Sequence, residues 1–223
     1  MSPGPRRLAG ALLTIDLLVL LAYAADVLLG HPVGVLSSFV DLDREQNLPT
    51  WWSSTKLFLV ALVFGTAFML RRPSDGARAW LLAAAALLAA GLSLDETGLL
   101  HERLGTVILP HGQRQGTMFE QGGPWVMVMV PGALVAAVGF WRFGLGRYLS
   151  TAPGAARLLG CGLGLLVAGA AGVELLRVGS VGTPWHPVQV LVEEGLEFAG
   201  VTMVLLGAVV VARGLGVRVV GGT

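Results

Sequence analysis

The chain contains 223 residues, of which 54% are hydrophobic and only 13% are charged. This composition lies outside the range of soluble globular proteins and is typical of an integral membrane protein. The single cysteine, Cys161, excludes an intrachain disulfide. The formal net charge of +1 by itself indicates nothing about charged partners. We therefore expect the lipid bilayer as partner and no nucleic acid, and the oligomeric state stays open.

Six apolar runs are each long enough, at roughly 20 residues, to cross the hydrocarbon core of a bilayer. They cover residues of about 9–30, 54–70, 77–100, 124–143, 156–177 and 187–212. We predict an all-α, polytopic membrane bundle of six transmembrane helices that forms one domain over residues 1–223. The first run resembles a signal peptide. We interpret it as an uncleaved span, because Asp16 interrupts it and apolar residues continue through Leu29.

The basic residues predict the orientation, since short cytoplasmic loops are enriched in Lys and Arg. Ten of the 15 basic residues fall at the two termini and in every second connection, namely Arg6, Arg7, Arg71, Arg72, Arg78, Arg142, Arg147, Arg157, Arg213 and Arg218. Both termini are therefore predicted to be cytoplasmic, in the cell membrane. The other connections are predicted to lie at the outer face, and Lys56 is assigned to them. Nearly all the acidic residues lie towards this face. Four tryptophans are predicted to form an aromatic belt there, namely Trp51, Trp52, Trp125 and Trp185.

The third run leads directly into a charged stretch at residues 93–105, SLDETGLLHERLG. If the helix continues through this stretch, Asp95 and Glu102 share one face, with Glu96 and His101 on either side. These four side chains are candidates for a site at the outer boundary of the membrane. The alternative is an ordinary solvated helix end.

The sixth run contains three glutamates, Glu193, Glu194 and Glu197, with apolar residues before and after them. They lie within about 100° of one another on a helix. Carboxylates at such a depth are costly unless they bind a cation, pair with a base or share protons. We expect the third and sixth runs to meet, although the sequence alone does not establish that they are neighbours. Asp16 is the deepest acid of all.

Carboxylates with a histidine suit Zn, Mn or non-haem Fe. We predict a divalent metal held by Asp95, Glu96, His101, Glu193 and Glu197, with Glu102 and Glu194 as catalytic groups. The substrate class that we expect is a lipid or another amphipathic molecule. The His-Glu-x-x-His pattern of zincins and the paired Glu-x-x-His pattern of di-iron bundles are both missing from the sequence.

Two other functions fit the same residues. A proton- or cation-coupled transporter would use the acids, with Asp16, as an ion path. A non-catalytic scaffold or complex subunit would pair its outer acids with nearby basic residues. We also predict that Gly160 and Gly164, in a small-xxx-small arrangement, allow close approach of a neighbouring helix.

Overall fold

The computed structural model describes residues 3–114, 117, 119, 123–173 and 182–217. These residues form helices and no strand. The α-helices are α1 (Pro3–Leu28), α2 (Gly34–Val40), α3 (Leu48–Asp75), α4 (Trp80–Gly98), α5 (Leu100–Ile108), α6 (Val126–Arg142), α7 (Leu145–Ser150), α8 (Ala155–Val167) and α9 (His186–Gly214). A 3₁₀ turn joins α3 to α4, and a π-helical turn, Ala168–Val173, extends α8.

Four of the described segments are long and apolar enough to cross a membrane: Arg6–Leu28, Leu48–Gly98, Ala155–Val173 and His186–Gly214. A fifth helical segment, Val126–Phe140, is apolar but shorter. The prediction of an all-helical, membrane-compatible chain is confirmed, and the number of six spans stays a prediction. The end of the predicted fifth span, residues 174–177, lies outside the described residues.

The longest of these segments, Leu48–Gly98, contains two helices that pack side by side. Ser54 and Ser93 exchange hydrogen bonds between their hydroxyls and backbone carbonyls at 2.8 and 2.9 Å. At the far end, the rings of Phe68 and Trp80 lie 5.1 Å apart. The contact positions run in opposite directions along the two helices, so α3 and α4 form an antiparallel hairpin. It turns at Gly76, which has φ +55°.

Helix α9 is the central helix of the bundle, and α1, α3 and α8 pack around it. Its contact with α8 is close, since a Cβ placed on Gly200 would lie 2.8 Å from the carbonyl oxygen of Gly162. The prediction for Gly160 and Gly164 is wrong, because added Cβ atoms there would meet nothing within 4 Å. Gly162 is two positions away and faces α9 instead, since residues two apart on a helix lie on different faces.

The two ends of the bundle carry opposite charge. At one end, which we call the acidic end, His186 at the start of α9 bonds to Asp43, and Asp26 near the end of α1 accepts a hydrogen bond from Ser37 in α2. At the other, the basic end, Arg71, Arg78 and Arg147 surround one cavity that also touches Leu215 after α9. Because α3 and α4 are antiparallel, the loop before α3 and the helix after α4 both lie at the acidic end.

Candidate metal centre

The charged stretch after α4 is not one continuous helix. Helix α4 ends at Gly98, and Leu99 adopts the left-handed conformation with φ +55° and ψ 37°. The chain then restarts as α5 at Leu100. A left-handed residue that is not glycine is uncommon and marks a sharp change of direction. The condition under which Asp95 and Glu102 would share one helix face, a helix that continues through residues 93–105, is therefore not met.

This break brings Asp95 and His101 together. One carboxylate oxygen of Asp95, Oδ1, accepts a hydrogen bond from the backbone N–H of His101 at 2.7 Å, and Oδ2 lies 3.1 Å from its Nδ1. Because Nδ1 is engaged by the carboxylate, Nε2 is the ring nitrogen that remains for a ligand. Metal-binding histidines are commonly oriented by a carboxylate in this way.

Glu45, in the loop before α3, approaches the free side of His101. Its Oε1 lies 3.8 Å from His101 Nε2. Ligand atoms of Glu45, His101 and Glu102 all lie within 4.8 Å of one another, and no other such trio occurs among the described residues. We call these three residues the ligand trio. Glu45 was not among the predicted site residues, because a loop residue carries no periodicity that would indicate its position.

The pKa values of Glu45 and His101 follow from their partial burial and from the surrounding charges. Burial raises the pKa of Glu45 to about 7, and Glu96, Glu102 and Asp95 add to this, while His101 opposes it. For His101, burial lowers the pKa, but the hydrogen bond and charge of Asp95, with Glu45 and Glu102, raise it above its ordinary value. A cation placed among these groups would relieve the repulsion between the carboxylates.

Acids of the two stretches lie close enough to interact electrostatically. Glu194 on α9 interacts electrostatically with Glu96 on α4 and with Glu45. Glu96 also accepts a weak hydrogen bond from Ser53 at 3.4 Å. The third and sixth predicted spans therefore contribute acids to the same region, next to the ligand trio.

The other two glutamates of α9, Glu193 and Glu197, lie beside the π-helical turn that follows α8. A Cβ on Gly169 would lie 2.7 Å from Cγ of Glu197 and 2.9 Å from the carbonyl oxygen of Glu193, so this part of α9 packs tightly against the π-helical turn. Asp95, Glu96, Glu193 and Glu197 are not members of the ligand trio. The metal-binding roles assigned to them, and the catalytic roles of Glu102 and Glu194, stay predictions.

The residues just before α6 form an apolar wall beside the ligand trio. The ring of Trp125 packs edge-on against His101, with centroids 5.1 Å apart and planes at 70°. A Cβ on Gly105 would lie 3.3 Å from Pro124, so α5 is held against the same segment. This wall restricts the movement of the imidazole and leaves its Nε2 directed towards Glu45.

The family model of a Domain of unknown function (DUF8692) matches residues 10–212 of the chain. The chain belongs to the DUF8692 family. No curated protein and no solved structure shows a significant match to it. All three residues of the ligand trio lie within the matched region of this DUF8692 protein.

A second cluster of polar and ionisable side chains in the DUF8692 chain lies deep in the bundle. Asp16, 4% exposed, and Lys56, 0% exposed, form an ion pair with Nζ and Oδ1 2.7 Å apart. Trp52 donates to the same carboxylate at 2.7 Å, and Thr202 donates to its other oxygen at 2.7 Å. Lys56 also donates to the carbonyl of Phe198 at 3.0 Å. We call these residues the buried network.

The buried network corrects two sequence-based assignments. Lys56 was predicted to belong to an outer connection, but α3 begins at Leu48 and the lysine lies inside it, without solvent contact. Trp52 was predicted to lie in the interfacial belt, but it is partly buried and bonds to Asp16. The unusual depth of Asp16 indicated the acid, whereas nothing in the sequence connected it to a lysine 40 residues later.

Proposed function

We propose that this protein binds a divalent metal ion, Zn²⁺, Mn²⁺ or Fe²⁺, at its acidic end and acts there as a metal-dependent enzyme on a lipid or amphipathic substrate. The ligand trio is the observation that carries this proposal. Glu45, His101 and Glu102 bring one imidazole and two carboxylates within 4.8 Å of one another. Asp95 orients the imidazole of His101 by a hydrogen bond at Nδ1, the ring nitrogen that does not face Glu45.

The composition of the ligand trio favours a reactive site over a structural one. Structural zinc sites are usually closed by four protein ligands, whereas catalytic sites use three and keep one position for water or substrate. A metal held by the trio would supply Lewis-acid activation of water or of a carbonyl or phosphoryl oxygen. Glu194, next to Glu96, is a candidate general base for such chemistry.

Aromatic residues at the acidic end support a substrate that lies at the membrane surface. Trp51 at the start of α3 is 59% exposed, and Trp185 just before α9 is 72% exposed. Exposed tryptophans are enriched where a bilayer meets water. The ligand trio is thus close to the level at which the polar headgroups of lipids would lie.

We further propose six membrane crossings, made by α1, α3, α4, α6, α8 with its π-helical turn, and α9. The antiparallel packing of α3 and α4 supports two crossings within Leu48–Gly98, since α4 alone spans about 28 Å at 1.5 Å per residue. The arginines around the basic end favour a cytoplasmic location for that end and for both termini.

Metal binding is tested by elemental analysis of the full chain purified in detergent, incubated with Zn²⁺, Mn²⁺ or Fe²⁺ and desalted. We expect about one ion per chain in the wild type, and loss of that ion in Glu45→Gln and in His101→Ala. Asp41→Asn is the matched control. It removes a carboxylate from the same loop, and this carboxylate pairs with Arg44 and not with His101. Absence of metal from the wild type, or equal retention in all variants, would overturn the proposal.

The second candidate is a proton-coupled transporter, and the buried network is the observation that favours it. Lys56 interacts electrostatically with Glu96 and Glu194 as well as with Asp16, which connects the acidic end to the middle of the bundle. Under this alternative, Asp16→Asn abolishes proton flux in proteoliposomes while bound metal is unchanged. If the protein is a scaffold, neither flux nor metal binding responds.

A further inference from the structure

The basic end contains a cavity of about 180 Å³ between the end of α3 and α7. It is lined by polar and charged side chains that include Arg71, Ser74, Asp75, Arg78, Arg147 and Tyr148. These groups come from two stretches of the sequence, 71–78 and 147–148, and two glycines with positive φ, Gly76 and Gly144, turn the chain at its edges. None of them belongs to the ligand trio or to the buried network.

The charges in this cavity do not cancel. Arg71 binds Asp75 through two contacts, Nε to Oδ2 at 3.2 Å and Nη2 to Oδ1 at 3.0 Å. The hydroxyl of Tyr148 donates to the same carboxylate at 3.1 Å. Within the described part of the chain, no carboxylate lies within salt-bridge distance of Arg78 or Arg147. The cavity therefore has a surplus of two positive charges.

An apolar groove of about 310 Å³ adjoins this cavity and shares Arg78 with it. Its other walls are Ala77, Trp80, Leu81 and Phe143. Trp80 is 56% exposed and Phe143 is 73% exposed, so the groove is open at the surface of the bundle. Arg78 thus stands at the junction of a basic cavity and an apolar groove.

We propose that this end of the molecule binds one anionic phospholipid, with its phosphate between Arg78 and Arg147 and an acyl chain along the groove. Arginine matches phosphate oxygens with a planar pair of donors. Basic pockets beside transmembrane helices are suited to acidic lipid headgroups. The groove distinguishes a lipid from free phosphate, since inorganic phosphate has no apolar part to place there. This inference is independent of the metal centre.

The test measures lipid retained by the delipidated full chain in neutral detergent, using native mass spectrometry during titration with phosphatidylglycerol or phosphatidylcholine. We expect phosphatidylglycerol to bind at one per chain and phosphatidylcholine to bind much more weakly. In the double variant Arg78→Gln, Arg147→Gln, phosphatidylglycerol affinity should fall at least about tenfold. Arg157→Gln is the control, because it removes an exposed arginine from the start of α8, outside the cavity.

A second variant tests the groove without touching the arginines. Phe143→Ser should weaken long-chain phosphatidylglycerol but leave competition by glycerophosphoglycerol, the same headgroup without acyl chains, unchanged. The proposal would be overturned if Arg157→Gln lost as much phosphatidylglycerol affinity as the double arginine variant, or if phosphatidylglycerol and phosphatidylcholine bound equally well. Displacement of phosphatidylglycerol by millimolar inorganic phosphate, together with no effect of Phe143→Ser, would also overturn it and assign the cavity to free phosphate.

Discussion

Asp95 engages His101 through both of its carboxylate oxygens. One oxygen accepts the backbone N–H at 2.7 Å, and the other faces Nδ1 at 3.1 Å. The first contact holds the start of α5, and the second selects the tautomer that keeps the proton on Nδ1. The same residue therefore connects the local fold to the chemistry of the ligand trio.

Asp95→Asn should separate these two roles. The amide oxygen can still accept the backbone hydrogen bond, but its N–H₂ group would face Nδ1 and move the imidazole proton to Nε2. Because Nε2 must be unprotonated to bind a metal, we expect affinity to fall about 10- to 100-fold. Metal titration of the purified variant measures this, with Asp41→Asn as control. An unchanged affinity would show that His101 Nε2 is not a ligand.

Lys56 stabilises the fold by compensating the charge of Asp16. Lys56→Met leaves a carboxylate inside the bundle with hydrogen bonds from Trp52 and Thr202 but no cation. Removal of one partner of a buried ion pair typically costs about 3–5 kcal/mol. We therefore expect a lower melting temperature in detergent for Lys56→Met.

The double variant Lys56→Met, Asp16→Asn removes the uncompensated charge and is the control for this prediction. It should melt at a higher temperature than Lys56→Met alone. A double variant that is less stable than the single one would contradict an ion pair between these two residues.

At the residue scale, the sequence predicted the kinds of group in the site better than their partners. Carboxylates in apolar runs are costly wherever they occur, so Asp16 and Glu194 could be recognised from hydropathy alone. Glu45 could not, because it lies in a loop, where an acid needs no special explanation. The pairing of Asp16 with Lys56 depends on how α1 and α3 pack, which hydropathy does not specify.

At the scale of elements, two features decide where the acidic side chains of α4, α5 and α9 lie. The first is the left-handed Leu99, which turns α5 back towards Asp95. Leucine is not a residue that signals such a turn, so helical periodicity extended the helix past it. The second is the close contact of α8 with α9, which packs the π-helical turn against Glu197. Glycine spacing indicated close packing, but it selected the wrong face of α8.

The contact of α8 with α9 can be tested with matched glycine variants. A Cβ on Gly162 would lie 2.8 Å from the carbonyl oxygen of Gly200, so Gly162→Ala should force the helices apart and cost about 1–3 kcal/mol. Gly164→Ala meets open space and gains helix propensity, so it should be neutral or slightly stabilising. Thermal unfolding in detergent compares the two. Equal effects would contradict the observed face of α8.

At the scale of the whole molecule, charge divides the bundle into an acidic and a basic end. The sequence predicted this division because hydropathy locates the apolar runs and positively charged loops favour the cytoplasm. It predicted a site at the acidic end without Glu45, and it did not predict the basic cavity, since the ligand trio and the cavity each combine side chains from separate segments. These arrangements arise from tertiary packing, which the hydropathy and charge patterns of one sequence do not specify.

The orientation can be measured with single cysteines in a Cys161→Ser background. Gln113, in the short 3₁₀ turn after α5, is exposed near the acidic end, and Ala77 is exposed in the turn between α3 and α4. A membrane-impermeant maleimide applied to intact cells should label Gln113→Cys directly. It should label Ala77→Cys only after permeabilisation. The reverse pattern would place the acidic end in the cytoplasm.

The most direct test of the metal centre is X-ray absorption spectroscopy of the full chain loaded with Zn²⁺. We expect one imidazole nitrogen and carboxylate or water oxygens at about 2.0–2.2 Å, without sulfur. His101→Gln should lose the imidazole signal, while Asp41→Asn should keep it. A spectrum with several imidazoles, or one that is unchanged in His101→Gln, would contradict a site built from Glu45, His101 and Glu102.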